Sequence, residues 1–286
     1  MAWKHPQALK KPYPCLKKVN DAPELNIKDI VDLNQFALTD TEFRAGCRDI
    51  LKNSGCLLLA NFLRPQAVEL VRKEALVNKH LAYYCVQEHN VYVTPQDENY
   101  SADHPRNRKL TSSKGCITDD QIPDESLLRT LYDSVEFRDF LCTVLGKDAL
   151  YEYADPLSSI NTHYASEGQE LAWHFDNSSF AITLLLQQSA MGGDFQYVRD
   201  LRYTTSGDLD FEAVRQVLDD EREPQDLRMD PGTLVLFRGR ESIHRVTPVK
   251  GQQTRILAVL AYNSQPGIEL SESSRMTFYG RLGNEQ

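Results

Sequence analysis

Apolar positions along this 286-residue chain follow two rhythms. In the first half they recur with helical spacing. Residues 39–53 carry that period behind Thr39 and Asp40, two possible caps, and residues 65–83 carry it again. Between them, Gly55-Cys56-Leu57-Leu58-Leu59-Ala60-Asn61-Phe62 is a short apolar run after a glycine, which predicts a strand. Residues 95–124 are polar and contain Pro95, Pro105 and Pro123, so a long loop is expected, of the type that covers a site. Residues 125–147 predict a further helix that stops at Gly146. From residue 150 onward the rhythm changes to short apolar runs separated by turn residues, at 171–176, 180–187, 194–198, 233–237, 243–247 and 255–262. Their length and spacing predict an antiparallel sandwich or jelly roll. A charged stretch, Asp208 to Glu223, interrupts it as an inserted helix.

The expected organisation is therefore α+β: an irregular arm at 1–38, then one domain over 39–286. Within it, helical support fills 39–149 and a jelly-roll core fills 150–286. No 18-residue apolar run predicts a transmembrane helix. The basic, proline-containing residues 1–18 lack the apolar stretch of a secretory signal, so a cytoplasmic location is expected. Cys15, Cys47, Cys56, Cys85, Cys116 and Cys142 form no Cys-x-x-Cys pair and read as free thiols. With a net charge of -9, a nucleic-acid partner is disfavoured.

The chemistry concentrates in the second half. His174 and Asp176 lie two apart in a predicted strand, so both side chains share a face and can ligate one metal ion. Such a pair arises about once by chance in a chain of this composition. The turn Asp230-Pro231-Gly232, its following strand and then His244 raise the odds, because His244 supplies a third ligand from a neighbouring strand. Two imidazoles and one carboxylate suit iron(II) and leave three coordination positions open. Arg255, 11 residues further on, is placed to grip a carboxylate through two parallel hydrogen bonds. Trp173 should pack on the opposite strand face from its neighbour. His163 reads first as a structural histidine, and His5, His80 and His89 show no ligand spacing.

The ordered set His174-x-Asp176, Pro231-Gly232, His244 and Arg255 resembles the double-stranded β-helix (jelly-roll, cupin-like) family of iron(II)/2-oxoglutarate dioxygenases. Tyr164-Ala165-Ser166-Glu167-Gly168, Thr183 to Gln187 and Gly192-Gly193-Asp194-Phe195 are similar to segments of its prolyl-hydroxylase branch. The resemblance covers about residues 155–263. It implies iron(II) at the triad, 2-oxoglutarate and O2 as co-substrates, Arg255 on the distal carboxylate of 2-oxoglutarate, and Tyr164 against the same molecule. His104-Pro105-Arg106, the segment from Trp173 to Gln187, and Phe278-Tyr279-Gly280-Arg281 resemble a bacterial branch of free-amino-acid hydroxylases and halogenases. Its halogenases carry glycine where this chain keeps Asp176, so the resemblance implies hydroxylation.

The expected substrate is thus a small free amino acid or derivative, with its carboxylate held by Arg106 or Arg108 in the basic segment 104–109. Asn177 and Asn263 either face that substrate or close turns. Two other readings stay open: a non-catalytic cupin-like module that binds a small molecule, and a hydroxylase of protein side chains. Neither spacing nor composition sets the oligomeric state.

Overall fold

The computed structural model describes residues 26–203 and 209–283. His5, Cys15, most of the predicted arm and the first residue of the predicted insertion, Asp208, lie outside the described residues.

Seven α-helices are described: α1 Ile27–Ile30, α2 Thr41–Ser54, α3 Pro65–Asn78, α4 Leu127–Asp133, α5 Val135–Leu145, α6 Phe211–Leu218 and α7 Glu272–Tyr279. Eleven strands accompany them: β1 Cys56–Leu59, β2 Tyr83–His89, β3 Leu110–Ile117, β4 Ile160–Ala165, β5 Leu171–His174, β6 Ala181–Gln187, β7 Phe195–Val198, β8 Gln225–Leu227, β9 Leu234–Phe237, β10 Ile243–Val246 and β11 Arg255–Leu260. A seven-stranded sheet has the order β1-β9-β6-β11-β4-β3-β2, and a four-stranded sheet has the order β5-β10-β7-β8. Every strand pair is antiparallel, as the sandwich reading expects.

Local chemistry sets the helix ends. The Asp40 carboxylate caps α2 by accepting from Phe43 N–H at 2.7 Å, and Gly55 ends it at φ 73, a conformation most side chains resist. The predicted helix 125–147 is two helices. Ser134 breaks it with extended backbone and caps α5 through Phe137 N–H. The predicted helix 65–83 ends at Asn78, because Tyr83 onward pairs as β2.

Strand alternation divides the large sheet into two faces. Ile160, Tyr164, Ile182, Leu184, Leu186, Leu234, Leu236, Ile256, Ala258 and Leu260 join the helical core. That core includes Phe137 and Phe140, both fully buried, each contributing about 1.5–3 kcal/mol. Leu185, Val235, Phe237 and Leu257 pack on the opposite face, between the sheets. The outer face of the small sheet is covered by Val214 and Val217 of α6, packed with Trp173 and Phe175. Trp173 accordingly points away from the triad, and Arg245 stacks on its ring at 4.6 Å.

Three expectations change. The loop predicted at 95–124 contains β3, which pairs with β2 over seven residues and with β4. Helical support and jelly roll do not divide at residue 150 either, since β1, β2 and β3 complete the large sheet. Part of the predicted arm is also ordered: Ile27, Ile30, Val31, Phe36 and Leu38 are buried in the main core. Cys47, Cys56, Cys85, Cys116 and Cys142 are free thiols, as expected. Among the described residues no helix is long and apolar enough to cross a membrane.

Candidate metal centre and its cavities

The triad is assembled by one strand pair and the turns around it. β5 and β10 run antiparallel with His174 directly opposite His244, which brings the two rings to 4.2 Å between centroids. Strand β5 ends at His174, so Asp176 sits in the following turn and not, as predicted, in the strand. Its N–H donates to the Gly239 carbonyl at 3.0 Å, fixing the turn on the loop that leads into β10. Donor atoms of His174, Asp176 and His244 then lie within 4.8 Å of one another.

Hydrogen bonds orient each ligand. His174 Nδ1 lies 2.7 Å from the Ala172 carbonyl, and His244 Nδ1 lies 3.1 Å from the Ser242 carbonyl. Both Nδ1 atoms therefore donate to these carbonyls, leaving each Nε2 lone pair free. Those Nε2 atoms stand 3.8 Å and 3.6 Å from Asp176 Oδ1. Asp176 Oδ2 is buried without a hydrogen-bond partner. A carboxylate left unsatisfied beside two free imidazole lone pairs fits a cation at their centre. Burial, and then the neighbouring His244, hold the His174 imidazole down to about 3, so it stays neutral and able to ligate at pH 7. Burial alone would raise Asp176, but His244, His174 and Lys114 outweigh it and its carboxyl stays below the usual range.

Gly239 is required by space. A Cβ there would overlap Asp176 Oδ2 and lie 2.6 Å from Asp176 Cγ and 3.0 Å from His244 Cε1. No sequence signal marked this glycine.

Two cavities meet at the triad. The inner one, about 240 Å³, lies between the sheets and is lined by Leu257, Val259, His163, Lys114 and Arg255. The outer one, about 300 Å³, is lined by His89, Gln87, Ser112, Lys114, Asn177, Ser274 and Phe278 among others. His174, Asp176, Lys114 and Tyr153 line both. A larger open cleft of about 870 Å³, lined by Arg48, Arg202 and Arg240, contains none of the triad.

Arg255 is buried and faces the inner cavity. Burial lowers its pKa to about 10, against the opposing charge of Asp194, so it remains cationic. No side-chain carboxylate pairs with it among the described residues, which leaves its planar fork free for a carboxylate ligand.

The expected role of Tyr164 is corrected by strand parity. β11 pairs with β4 so that Ile256 opposes Tyr164, while Arg255 opposes Ala165 and Leu257 opposes His163. Tyr164 therefore faces the helices with Ile256, and its hydroxyl donates to the Ala75 carbonyl in α3 at 2.7 Å. His163 takes the inward place instead. Arg106 and Arg108 line neither cavity. Arg108 pairs with Asp219 at 2.6 Å, and Arg106 lies over the Tyr92 ring and donates to the Pro95 carbonyl. Asn177 is exposed and does line the outer cavity. Asn263 does not: its backbone exchanges two hydrogen bonds with Tyr151.

The residues missed by sequence reasoning are Lys114, His89 and Tyr153. The first two lie on β2 and β3, in or beside the segment read as a loop, so no strand parity pointed to them. Along the chain His89 shows no ligand spacing. Its Nε2 is 2.7 Å from Ser112 Oγ, and its ring lies edge-on to His174 at 6.2 Å.

A family model described as Halogenase D (HalD) matches residues 44–278. No curated protein sequence matches. Among solved structures, the chain is similar to the non-heme alpha ketoglutarate dependent carbocyclase SnoK from nogalamycin biosynthesis, with a TM-score of 0.54 and 13% identity over 84% of this chain and 93% of that one. It is similar to AviO1 from Streptomyces viridochromogenes Tue57, with a TM-score of 0.52 and 13% identity over 80% and 97%. The alpha ketoglutarate dependent epimerase SnoN gives a TM-score of 0.53 at 9% identity, over 78% and 84%. These likenesses speak for a shared double-stranded β-helix fold. With the family match over most of its length and a triad built for one cation, the chain belongs to the halogenase D family and is a 2-oxoglutarate-dependent non-haem iron oxygenase.

Proposed function

We propose that the protein hydroxylates an unactivated C–H of a small free amino acid or close derivative, releasing succinate and CO2. The observation that carries the reading is Asp176: a carboxylate, oriented by the Gly239 turn, points into the position between the two histidines. A halide ligand would need that position. Iron(II) held there supplies the activation of O2 that drives oxidation of the substrate.

The chain's own residues prepare the site. His174 and His244 turn their Nε2 atoms toward Asp176, and their carbonyl partners fix the ring planes. Arg255, in the wall of the inner cavity, orients 2-oxoglutarate. Phe195 and Phe237 pack on His244, with ring centroids at 5.5 Å and 5.0 Å, and exclude water from that side. The outer cavity, bounded by Phe278 and Ser274 of α7, has the size of a small molecule more than that of a peptide groove.

The test is a screen of free amino acids for substrate-dependent succinate formation with iron(II), followed by product mass in chloride buffer. Gain of one oxygen is expected. A chlorinated product from the wild type, or turnover of peptides alone, sinks the reading.

A further inference from the structure

Lys114 is half-buried, and burial lowers its pKa, with the Asp176 carboxylate opposing that shift from beyond ion-pair distance. Its Nζ stands 3.3 Å and 3.2 Å from the two nitrogens of His163, over the ring and not aligned to one lone pair, and 5.7 Å from the Phe278 ring centroid. No carboxylate lies within ion-pair distance among the described residues. The flanking thiols of Cys85 and Cys116 do not balance it, because burial keeps both protonated, Cys116 with a pKa pushed up to about 12. An ammonium withdrawn from water and left unpaired is costly, so it is retained where a ligand supplies the missing charge.

Two candidate anions belong to 2-oxoglutarate, and both have other partners. The β3–β4 register pairs Gly115 with Tyr164 and Cys116 with His163. Extending it by one residue sets Lys114 opposite Ala165, which opposes Arg255. Lys114 and Arg255 thus share one row of the sheet, two strand spacings or roughly 10 Å apart at the backbone. Arg255 lines the inner cavity but not the outer one, whereas Lys114 lines both. The distal carboxylate falls to Arg255 and the oxo-acid end to the metal. That leaves the charge of Lys114 for whatever occupies the outer cavity.

The rest of that cavity narrows the ligand. Among the described residues, Lys114 is its only lysine or arginine, and Asp176, committed to the triad, is its only carboxylate. The other polar side chains there are two histidines, His89 and His174, a tyrosine, a thiol, and several serines and amides, none of them a carboxylate. With Asp176 committed to the metal, no carboxylate among the described residues there is left to receive a second ammonium group.

We infer that Lys114 forms an anion subsite that holds the carboxylate of the substrate, and that the outer cavity selects small carboxylic acids with uncharged side chains over basic ones. This rests on the amino-acid oxygenase reading and replaces Arg106 and Arg108 as the carboxylate anchor.

The experiment uses the iron(II)·2-oxoglutarate protein under anaerobic conditions, with binding read by calorimetry. Probes are the protein amino acids, their carboxamides, L-norleucine as the uncharged isostere of L-lysine, and the stripped pair butyrate and butylamine. Carboxylates should bind at least 10-fold tighter than the matching amides or amine, and norleucine at least 10-fold tighter than lysine. Lys114→Met should erase the preference while 2-oxoglutarate affinity stays within about twofold, and Lys114→Arg should restore part of it. A wild type that binds no carboxylate probe or prefers lysine overturns the subsite, as does a Lys114→Met protein that keeps the preference or loses 2-oxoglutarate instead. Butyrate binding through Lys114 with no amino acid oxidised would uphold the subsite and refute the amino-acid reading. Amino-acid turnover with unchanged affinity in Lys114→Met would do the reverse.

Discussion

At the scale of single residues, geometry around Asp176 decides the metal. Gly239→Ala would push a methyl group into the Asp176 carboxyl and against His244. Iron stoichiometry should fall toward that of His244→Ala, although residue 239 ligates nothing. Full iron occupancy in Gly239→Ala, measured by elemental analysis, would show that the turn yields and that the close approach is not needed. Arg255 carries a separable role. Removing its bidentate grip should cost roughly 2–5 kcal/mol, or about 30- to several-thousand-fold in the apparent affinity for 2-oxoglutarate. Iron binding should be unchanged. An Arg255→Ala enzyme with the wild-type Michaelis constant for 2-oxoglutarate would remove that residue from the site.

At the scale of elements, parity along β4 and β11 separates chemistry from packing. Tyr164 lies on the even-numbered face with Ile160, and its hydroxyl ties the large sheet to α3 through Ala75. Tyr164→Phe should therefore cost about 1–3 kcal/mol in stability, by leaving the buried Ala75 carbonyl without this donor. Its Michaelis constant for 2-oxoglutarate should not move. A rise of tenfold or more in that constant, with unchanged denaturation midpoint, would place the tyrosine back against the co-substrate. The strand pair β2–β3 also bounds the site. It supplies His89 and Lys114 to the outer cavity, so a segment that reads as a lid is part of the wall.

At the scale of the whole molecule, the unloaded protein should be acid-sensitive for a specific reason. Burial keeps His174 neutral in the fold down to about 3, and burial with the cations Lys114 and Arg255 lowers His163 well below its usual value. An unfolded histidine titrates near pH ~6.5. Between that value and the lower folded one, the unfolded chain binds a proton that the folded chain does not. Stability therefore rises with pH in this window and falls as pH drops, by about 1.4 kcal/mol per unit for each such histidine. For His174 alone the loss from pH 7 to pH 5 is about 2 kcal/mol. Denaturant unfolding of the metal-free protein at the two pH values reads it, and His174→Gln should flatten the dependence. A wild type equally stable at pH 5 and pH 7 would mean that these imidazoles are solvated. Bound metal should deepen the dependence, since protons compete for the same nitrogens.

Order and period along the chain are enough to specify part of this molecule. The short apolar runs after residue 150, with their turn residues, specified antiparallel strands. β6, β7, β9, β10 and β11 fall within about two residues of those runs. His174, Asp176, His244 and Arg255 were legible because the strand–turn spacing between them fits one ligand set, and the fold brings all four to one cavity. The rest follows from relations between strands, which no spacing along a single strand contains. The pairing of β4 with β11 turned His163 inward and Tyr164 outward, a difference of one residue that no spacing argument resolves. β3 carries mixed polar and apolar residues that resemble a loop until β2 and β4 offer it edges to pair with. Arg108 became structural only when α6 brought Asp219 within 2.6 Å of it. Gly239 became essential only when the turn after β5 folded against it, leaving no room for a side chain beside Asp176.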